Sequence, residues 1–303
     1  MVKFAHLLNP VYAPAASDLG IAQPITFESI RLAKDFARNQ VQVQCYTTQF
    51  EEDLPAIPPG FIPLSNLDQS VLDFYPNLSG RKLPLIRSIF EKSKEITEFD
   101  YLIYTNMDIG LMPSFYVALL SYIEKGHDCV VINRRRLSKK YRNPSELPEI
   151  YADLGLSHPG FDCFVIKKDL LPRFVLDDIC VGIPFLEAAL VHNVMAFGQH
   201  TNWVMDAHLT FHIGLDVLKE SRKSDPFYLH NRRVFFKKIY PQIKSKLALK
   251  NSPYAREGFF ERMFKYGLNP SIFFKDWAEL QSNSWKEQIR NGINELRWRL
   301  LQK

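Results

Sequence analysis

Over its first two-thirds the chain alternates short apolar runs with amphipathic stretches, and nothing else in it restricts the fold as much. "KFAHLLNP" predicts a strand ending at an Asn-Pro turn, and "VQVQCYTTQF" alternates as a strand does. Between them, "ITFESIRLAKDFARN" places Ile25, Ile30, Ala33, Phe36 and Ala37 at helical spacing, with Thr26 and Glu28 near the expected start. "FIPLSNL" reads as a weak short strand, and "LPLIRSIFEKSKEI" as a helix with Leu85, Ile89 and Ile96 inward. "YLIYTNMDIGL" predicts one strand, "PSFYVALLSYIEKG" a helix opened by Pro113 and closed by Gly126, and "DCVVINRRRL" another strand. Strands alternating with helices predict an α/β layer fold whose central sheet is mostly parallel and flanked by helices.

The pattern changes after Leu137. "SKKYRNPSELPEIYADLGLSHPG" is polar and long enough for a functional loop or lid. Strands are expected at "FDCFVIKKDLL", "VMAFG" and "DAHLTFHIG", and a helix at "GIPFLEAALVHN". Past Gly214 the chain becomes basic and helical, so the expected division is 1–215 and 216–303. From Lys219 onward it holds 19 Lys/Arg against 8 Asp/Glu. That excess suits an anionic membrane surface, an acidic partner or a plain solvated helical surface. The closing "SWKEQIRNGINELRWRLLQK" repeats Trp285, Ile289, Ile293, Leu296 and Leu300 along one helical face. The overall charge of +5 is too mild to point to nucleic acid. No run reaches the ~18 apolar residues of a membrane span, and no signal peptide is read at the N-terminus. A cytoplasmic protein, peripheral to the membrane at most, is expected. Cys45, Cys129, Cys163 and Cys180 are scattered, three of them in apolar contexts, which predicts buried free thiols.

Chemistry gathers in a few places. Asn106 and Asp108 end an apolar strand, where open parallel sheets bind ligands. If the strand stays extended they share a side, and such oxygens suit Mg2+ or Mn2+ with diphosphate. They equally suit a capping turn. In "DAHLTFHIG" alternation puts Asp206, His208 and His212 in one row, a pattern for metal binding, proton transfer or satisfied core histidines. Glu187 falls in the first turn of its helix, where it can face a cleft or simply favour the helix dipole. Arg81 and Lys82 precede the helix at Leu83–Ile96, and Arg134 and Arg136 end a strand on one side. These are candidate diphosphate contacts or solvated surface cations.

Together these residues resemble the GT-A fold glycosyltransferases, which transfer sugar from nucleotide-diphosphate donors. The resemblance covers roughly residues 1–215. Asn106-Met107-Asp108 stands where that family carries Asp-x-Asp, which binds donor ribose and a divalent metal. It implies that Asp162, in "HPGFDCFVIKKDLL", holds acceptor or donor-sugar hydroxyls. Glu187, three before Leu190, matches the base of inverting members, although Leu186 replaces their usual upstream acid. His208 and His212 match a late-strand metal ligand, and Asn9 and Pro10 occupy the place of the base-binding signature. The departure is Asn106, and no other Asp-x-Asp compensates for it. The resemblance implies an inverting, metal-assisted single displacement. Asp108 and His212 would hold Mn2+ or Mg2+, Arg134 or Arg136 would assist, and Glu187 or else Asp162 would serve as base. The alternatives are a non-catalytic nucleotide-sugar or glycan binder, a sugar-nucleotide pyrophosphorylase, or a metal-dependent hydrolase. A pyrophosphorylase would want a Gly-rich basic loop after the first strand, which "LNPVYAPAASDLG" lacks, and a hydrolase more carboxylates around the histidines.

Overall fold

The computed structural model describes residues 1–78, 80–205, 207–213, 225–247 and 252. The chain divides into two compact units, Met1–Leu247 and Ala248–Lys303, and every element below lies in the first. The helix expected at the C-terminus and the position of Asp206 lie outside the described residues.

The strands are β1 (Lys3–Leu8), β2 (Gln42–Thr47), β3 (Ile62–Pro63), β4 (Tyr101–Thr105) and β5 (Ile109–Leu111), then β6 (Cys129–Leu137), β7 (Leu156–Lys167), β8 (Thr201–Val204) and β9 (Thr210–Ile213). Among the described residues they form one sheet ordered β3-β2-β1-β4-β7-β6-β9-β5, with β8 also on β6. β3, β2, β1 and β4 run parallel. β7 is antiparallel to both β4 and β6. β8 and β9 pair parallel with β6, and β5 pairs antiparallel with β9. The expected α/β sheet is therefore present, parallel pairs outnumber antiparallel ones, and β7 makes it mixed.

The helices are α1 (Asp18–Ala37), α2 (Val71–Phe74), α3 (Ile86–Lys92), α4 (Phe115–Glu124), α5 (Leu147–Ala152), α6 (Leu186–Phe197), α7 (Pro226–Val234) and α8 (Tyr240–Ile243). Ile30, Ala33 and Ala37 of α1 and Phe115, Tyr116 and Leu119 of α4 share a core with Phe4, Val43, Ile103 and Val130 on one sheet face. Phe90 of α3 meets Tyr104 on the other, ring centroids 5.6 Å apart. The neighbours of β1 are β2 and β4, so strand order reverses between β1 and β4. Open α/β sheets bind ligands beyond the carboxyl ends of strands at such a point.

Several expected boundaries move. α1 starts at Asp18 rather than near Thr26, because Ser17 caps it by accepting from the Gly20 N–H at 3.0 Å, and Pro24 is carried inside. "YLIYTNMDIGL" is not one strand: it breaks at Asn106–Asp108, where the Ile109 N–H closes a turn onto the Asn106 carbonyl at 3.2 Å. "VMAFG" is not a strand but the end of α6, where Val194, Met195 and Phe197 are all buried. A helix buried on most sides loses its apolar period and cannot be told from a strand by pattern. The polar stretch after Leu137 is no plain loop either, since it contains α5 and the start of β7. "DAHLTFHIG" becomes a strand only from Thr210, with His208 in the preceding turn. All four cysteines are buried and free, as expected.

α7 braces the segment that leads into α6. The buried Asn231 amide accepts from the Cys180 N–H at 2.8 Å and donates to the carbonyls of Cys180 (3.0 Å) and Pro184 (3.1 Å). Beside it the Asp178 carboxylate is ion-paired with Arg87 (2.6 Å) and Lys238 (3.2 Å) and accepts from the Tyr75 hydroxyl at 2.9 Å. Burial alone would raise the Asp178 pKa, but the Tyr75 and Lys238 hydrogen bonds and the Arg87 and Lys238 charges outweigh it and hold it low. A depressed folded-state pKa contributes stability above the unfolded value of about 3.9, lost as pH falls through the folded one. Asp178→Asn is therefore expected to cost about 3 kcal/mol at pH 7. Urea titrations should show the gap to the parent closing below about pH 4.

Candidate functional site

The register of β7 assembles the site. Cys163 pairs with Thr105 of β4 on one side and with Ile132 of β6 on the other. Asp162, next along β7, therefore falls just beyond the end of β4 beside Asn106. One Asp162 oxygen accepts from Asn106 Nδ2 at 3.1 Å, and the other is ion-paired with Arg134. Asn106 Oδ1 in turn accepts from the Tyr104 hydroxyl at 3.4 Å. Burial first, then the charges of Asp108 and Asp162, push the Tyr104 pKa up, so this phenol stays a donor. The amide has one consistent orientation, with its NH2 toward the carboxylate and its oxygen toward the phenol. An aspartate at 106 would oppose Asp162 with a second negative charge. The residue that departs from Asp-x-Asp is thus the one its neighbour requires.

The turn at 106–109 buries Met107 and releases Asp108 from the sheet. Asp108 Oδ2 lies 3.1 Å from Nε2 of His212. Burial raises the Asp108 pKa, but the His212 hydrogen bond and the charges of His212 and Arg134 more than reverse this and hold it below the ordinary range. His212 stands in register with Ile109 of β5 and Arg136 of β6, which brings Arg136 to the same place.

His208 and His212 do not share a strand, and Asp206, the third member of the expected row, lies outside the described residues. The strand begins after His208, and the charges felt by His208 are those of Arg135 and Asp153, while burial lowers its pKa. Among the described residues no three His, Cys, Asp or Glu side chains are placed to share a metal. Of the three expected ligands, Asp108 and His212 stand together, and His208 lies in the turn before the strand.

Glu187 lies in the first turn of α6, after Phe185 in the left-handed region at φ 79°. Its Oε1 accepts from the Phe161 N–H at 2.9 Å, so it anchors the backbone that leads into Asp162. The pairing of β6 with β7 slips at Asp162, between the Ile132–Cys163 and Asn133–Phe161 pairs, and again before Phe161, where the next pair is Arg135–Ser157. His158, Pro159 and Gly160 form this bulge, a device that re-aims side chains at sheet rims. His158 Nδ1 accepts from the Gly160 N–H at 2.9 Å, which leaves the proton of the neutral ring on Nε2, and Asn133 Nδ2 donates to the His158 carbonyl at 3.0 Å. A Cβ on Gly160 would lie 2.8 Å from His158 Nδ1 and 3.3 Å from Glu187 Oε2. Imidazole and carboxylate thus flank one glycine that only a hydrogen fits. His158 and Asn133 escaped the sequence reading. Their one signal was a His-Pro-Gly triplet, which reads as a turn before a strand rather than a bulge within it.

The other expected contact residues, Arg81, Lys82 and Asn9, have partners within the protein. Arg81 pairs with Asp225 at 2.7 Å and stands 4.4 Å above Phe227, while Lys82 pairs with Glu52 at 2.5 Å and lies 4.1 Å above Phe50. Buried Asn9, at the end of β1, donates to the Thr48 carbonyl at 2.6 Å and so fixes the loop rather than presenting its amide. The loop continues with the Val11 N–H and carbonyl bracketed by Gln23 (2.8 and 2.7 Å) and the Tyr12 N–H on Asp53 (2.8 Å).

No family model and no curated protein matches the chain. Solved structures to which it is similar include residues 1–349 of S. aureus TarS in complex with UDP-GlcNAc. There the identity is 9% and the TM-score 0.47, over 93% of this chain and 82% of that one. Another is glucosyl-3-phosphoglycerate synthase from Mycobacterium tuberculosis with Mn2+ and UDP-glucose, at 13% identity and TM-score 0.44 over 80% and 79%. A third is GalNAc-T7 with UDP, GalNAc and Mn2+, at 12% and 0.47 over 78% of this chain and 48% of that one. All three identities are below 25% and all three TM-scores below 0.5.

Asn106→Asp tests the bracket around Asp162. Two carboxylates about 3 Å apart raise each other's pKa, so the penalty exists at neutral pH and fades as pH falls below the raised value. The variant is expected to lose about 1–3 kcal/mol at pH 7. Thermal melts of variant and parent should converge near pH 4.

Proposed function

We propose that the chain is a glycosyltransferase that moves a sugar from a nucleotide-diphosphate donor to an acceptor hydroxyl by a single, inverting displacement. One observation carries this reading. Beyond the carboxyl end of β4, next to the point where strand order reverses, the Asp108–His212 pair and the Asn106–Asp162–Arg134 bracket come together, with Glu187 bound to the residue before Asp162.

Asp108 and His212 fit a divalent cation. Adjacent corners of an octahedron with ligands about 2.1 Å from the ion stand about 3 Å apart, and these two atoms are 3.1 Å apart. One carboxylate and one imidazole suit Mn2+ or Mg2+ completed by diphosphate oxygens, and the cation would neutralise charge developing on the leaving diphosphate. Arg136, in register with His212, adds a positive charge on the same side. Asn106 supplies no charge, and its part is to orient Asp162. Asp162, held between Asn106 and Arg134, accepts hydrogen bonds from sugar hydroxyls.

Glu187 is the base. Its Oε1 is committed to the Phe161 N–H, and Oε2, toward Gly160 and His158, takes the proton of the acceptor hydroxyl. The new bond joins the acceptor oxygen to the anomeric carbon from the face opposite the departing diphosphate.

Incubation with UDP- and GDP-sugars plus Mn2+ is expected to show slow donor hydrolysis. Donor binding without any turnover would instead indicate a non-catalytic binder, the reading favoured by a ligand pair with no third member among the described residues. Glu187→Gln keeps an oxygen for the Phe161 N–H but removes the base, so transfer should fall 10²–10⁴-fold, as an order-of-magnitude estimate, with donor affinity unchanged. Asp108→Ala is expected to abolish the Mn2+ dependence of donor binding measured by calorimetry.

A further inference from the structure

The helical segment Pro226–Leu247 carries a charge that the transferase reading leaves unused. It contains Arg232, Arg233, Lys237, Lys238, Lys244 and Lys246, and no Asp or Glu. Its apolar residues are turned inward: Phe227, Val234, Phe235, Phe236, Ile239 and Ile243 are at most 3% exposed. The rings that in sequence look ready to enter lipid are therefore core, and the outward surface is left to the cations. Lys238 is balanced by Asp177 and Asp178. Arg233, Lys244 and Lys246 are exposed and pair with no carboxylate among the described residues. Lys246 and the exposed Arg173 stand over the same Phe197 ring, 5.0 and 5.2 Å from its centroid. Two cations on one ring, neither paired with a carboxylate among the described residues, favour an anion from outside.

We propose that this face docks the protein on a membrane surface rich in anionic phospholipid, by electrostatics alone and without insertion. Single-stranded nucleic acid fits less well, because binding it draws on aromatic faces for base stacking. The one strongly exposed large apolar side chain in the segment is Leu229, at 46%. The inference rests on the charge of the face and is independent of the transferase reading.

Co-sedimentation of the full chain with phosphatidylcholine vesicles, with and without phosphatidylglycerol, tests it. Binding is expected only with phosphatidylglycerol and should fall steeply as salt rises. Replacing Arg233, Lys244 and Lys246 together by Gln should weaken it about a hundred-fold, three juxtamembrane cations being removed. These side chains are exposed and pair with no carboxylate among the described residues, so the thermal melt should stay close to that of the parent. Binding that survives the triple substitution, resists salt or occurs on phosphatidylcholine alone would overturn the proposal. So would tighter binding to an oligo-dT strand than to the anionic vesicles.

Discussion

The functional end of the molecule hangs on the pairing of one residue, Cys163. Hydrogen-bonded in register between Thr105 and Ile132, it locks an antiparallel strand between two strands that run the other way. Because the carboxyl ends of β4 and β6 lie together, the stretch of β7 entering from that side must present its side chains there. A slip of one residue would turn Asp162 to the opposite face. The mixed sheet is thus what brings a carboxylate to Asn106 and Arg134, rather than an irregularity in a parallel design.

From that placement the identity of residue 106 follows. Asp162 is buried and needs donors, and the neighbouring guanidinium supplies one to Oδ2. A carboxamide serves the other at no cost in charge, and the Tyr104 hydroxyl completes the amide. The substitution that looks like a lost ligand when the triplet is compared with Asp-x-Asp is, in the folded protein, a compensation for a nearby acid. Negative charge at the strand end is carried by Asp108 beside His212 and by Asp162 beside Arg134, and not by the triplet alone.

Glu187 joins two parts of the chain in the same economical way. One oxygen secures the backbone after the His158–Gly160 bulge, and the helix that bears it follows a turn stapled by Asn231 of α7. The helices after residue 225 therefore help to fix the position of an acid about 40 residues upstream. They do so with buried amide bonds and ion pairs, while their outer surface stays basic.

Local pattern alone was enough for β1, β2, β4, β6 and α4, whose apolar periods and Gly or Pro boundaries depend on neighbours only weakly. It also marked Asp108, His212 and Glu187 as candidates, whereas Asp162 entered only through the family resemblance. It failed where the deciding partner is far along the chain. The break after Thr105, the late start of β9 that drops His208 from the row, and the helix over Val194–Phe197 depend on such packing. The tie of Arg134 to Asp162, 28 residues away, is equally non-local. The sequence by itself determined an α/β protein with a polar strand end and a C-terminal part rich in Lys and Arg. Only the tertiary structure decided which charges meet, because β7 runs against its neighbours and pairing register is a long-range property that no window of residues contains.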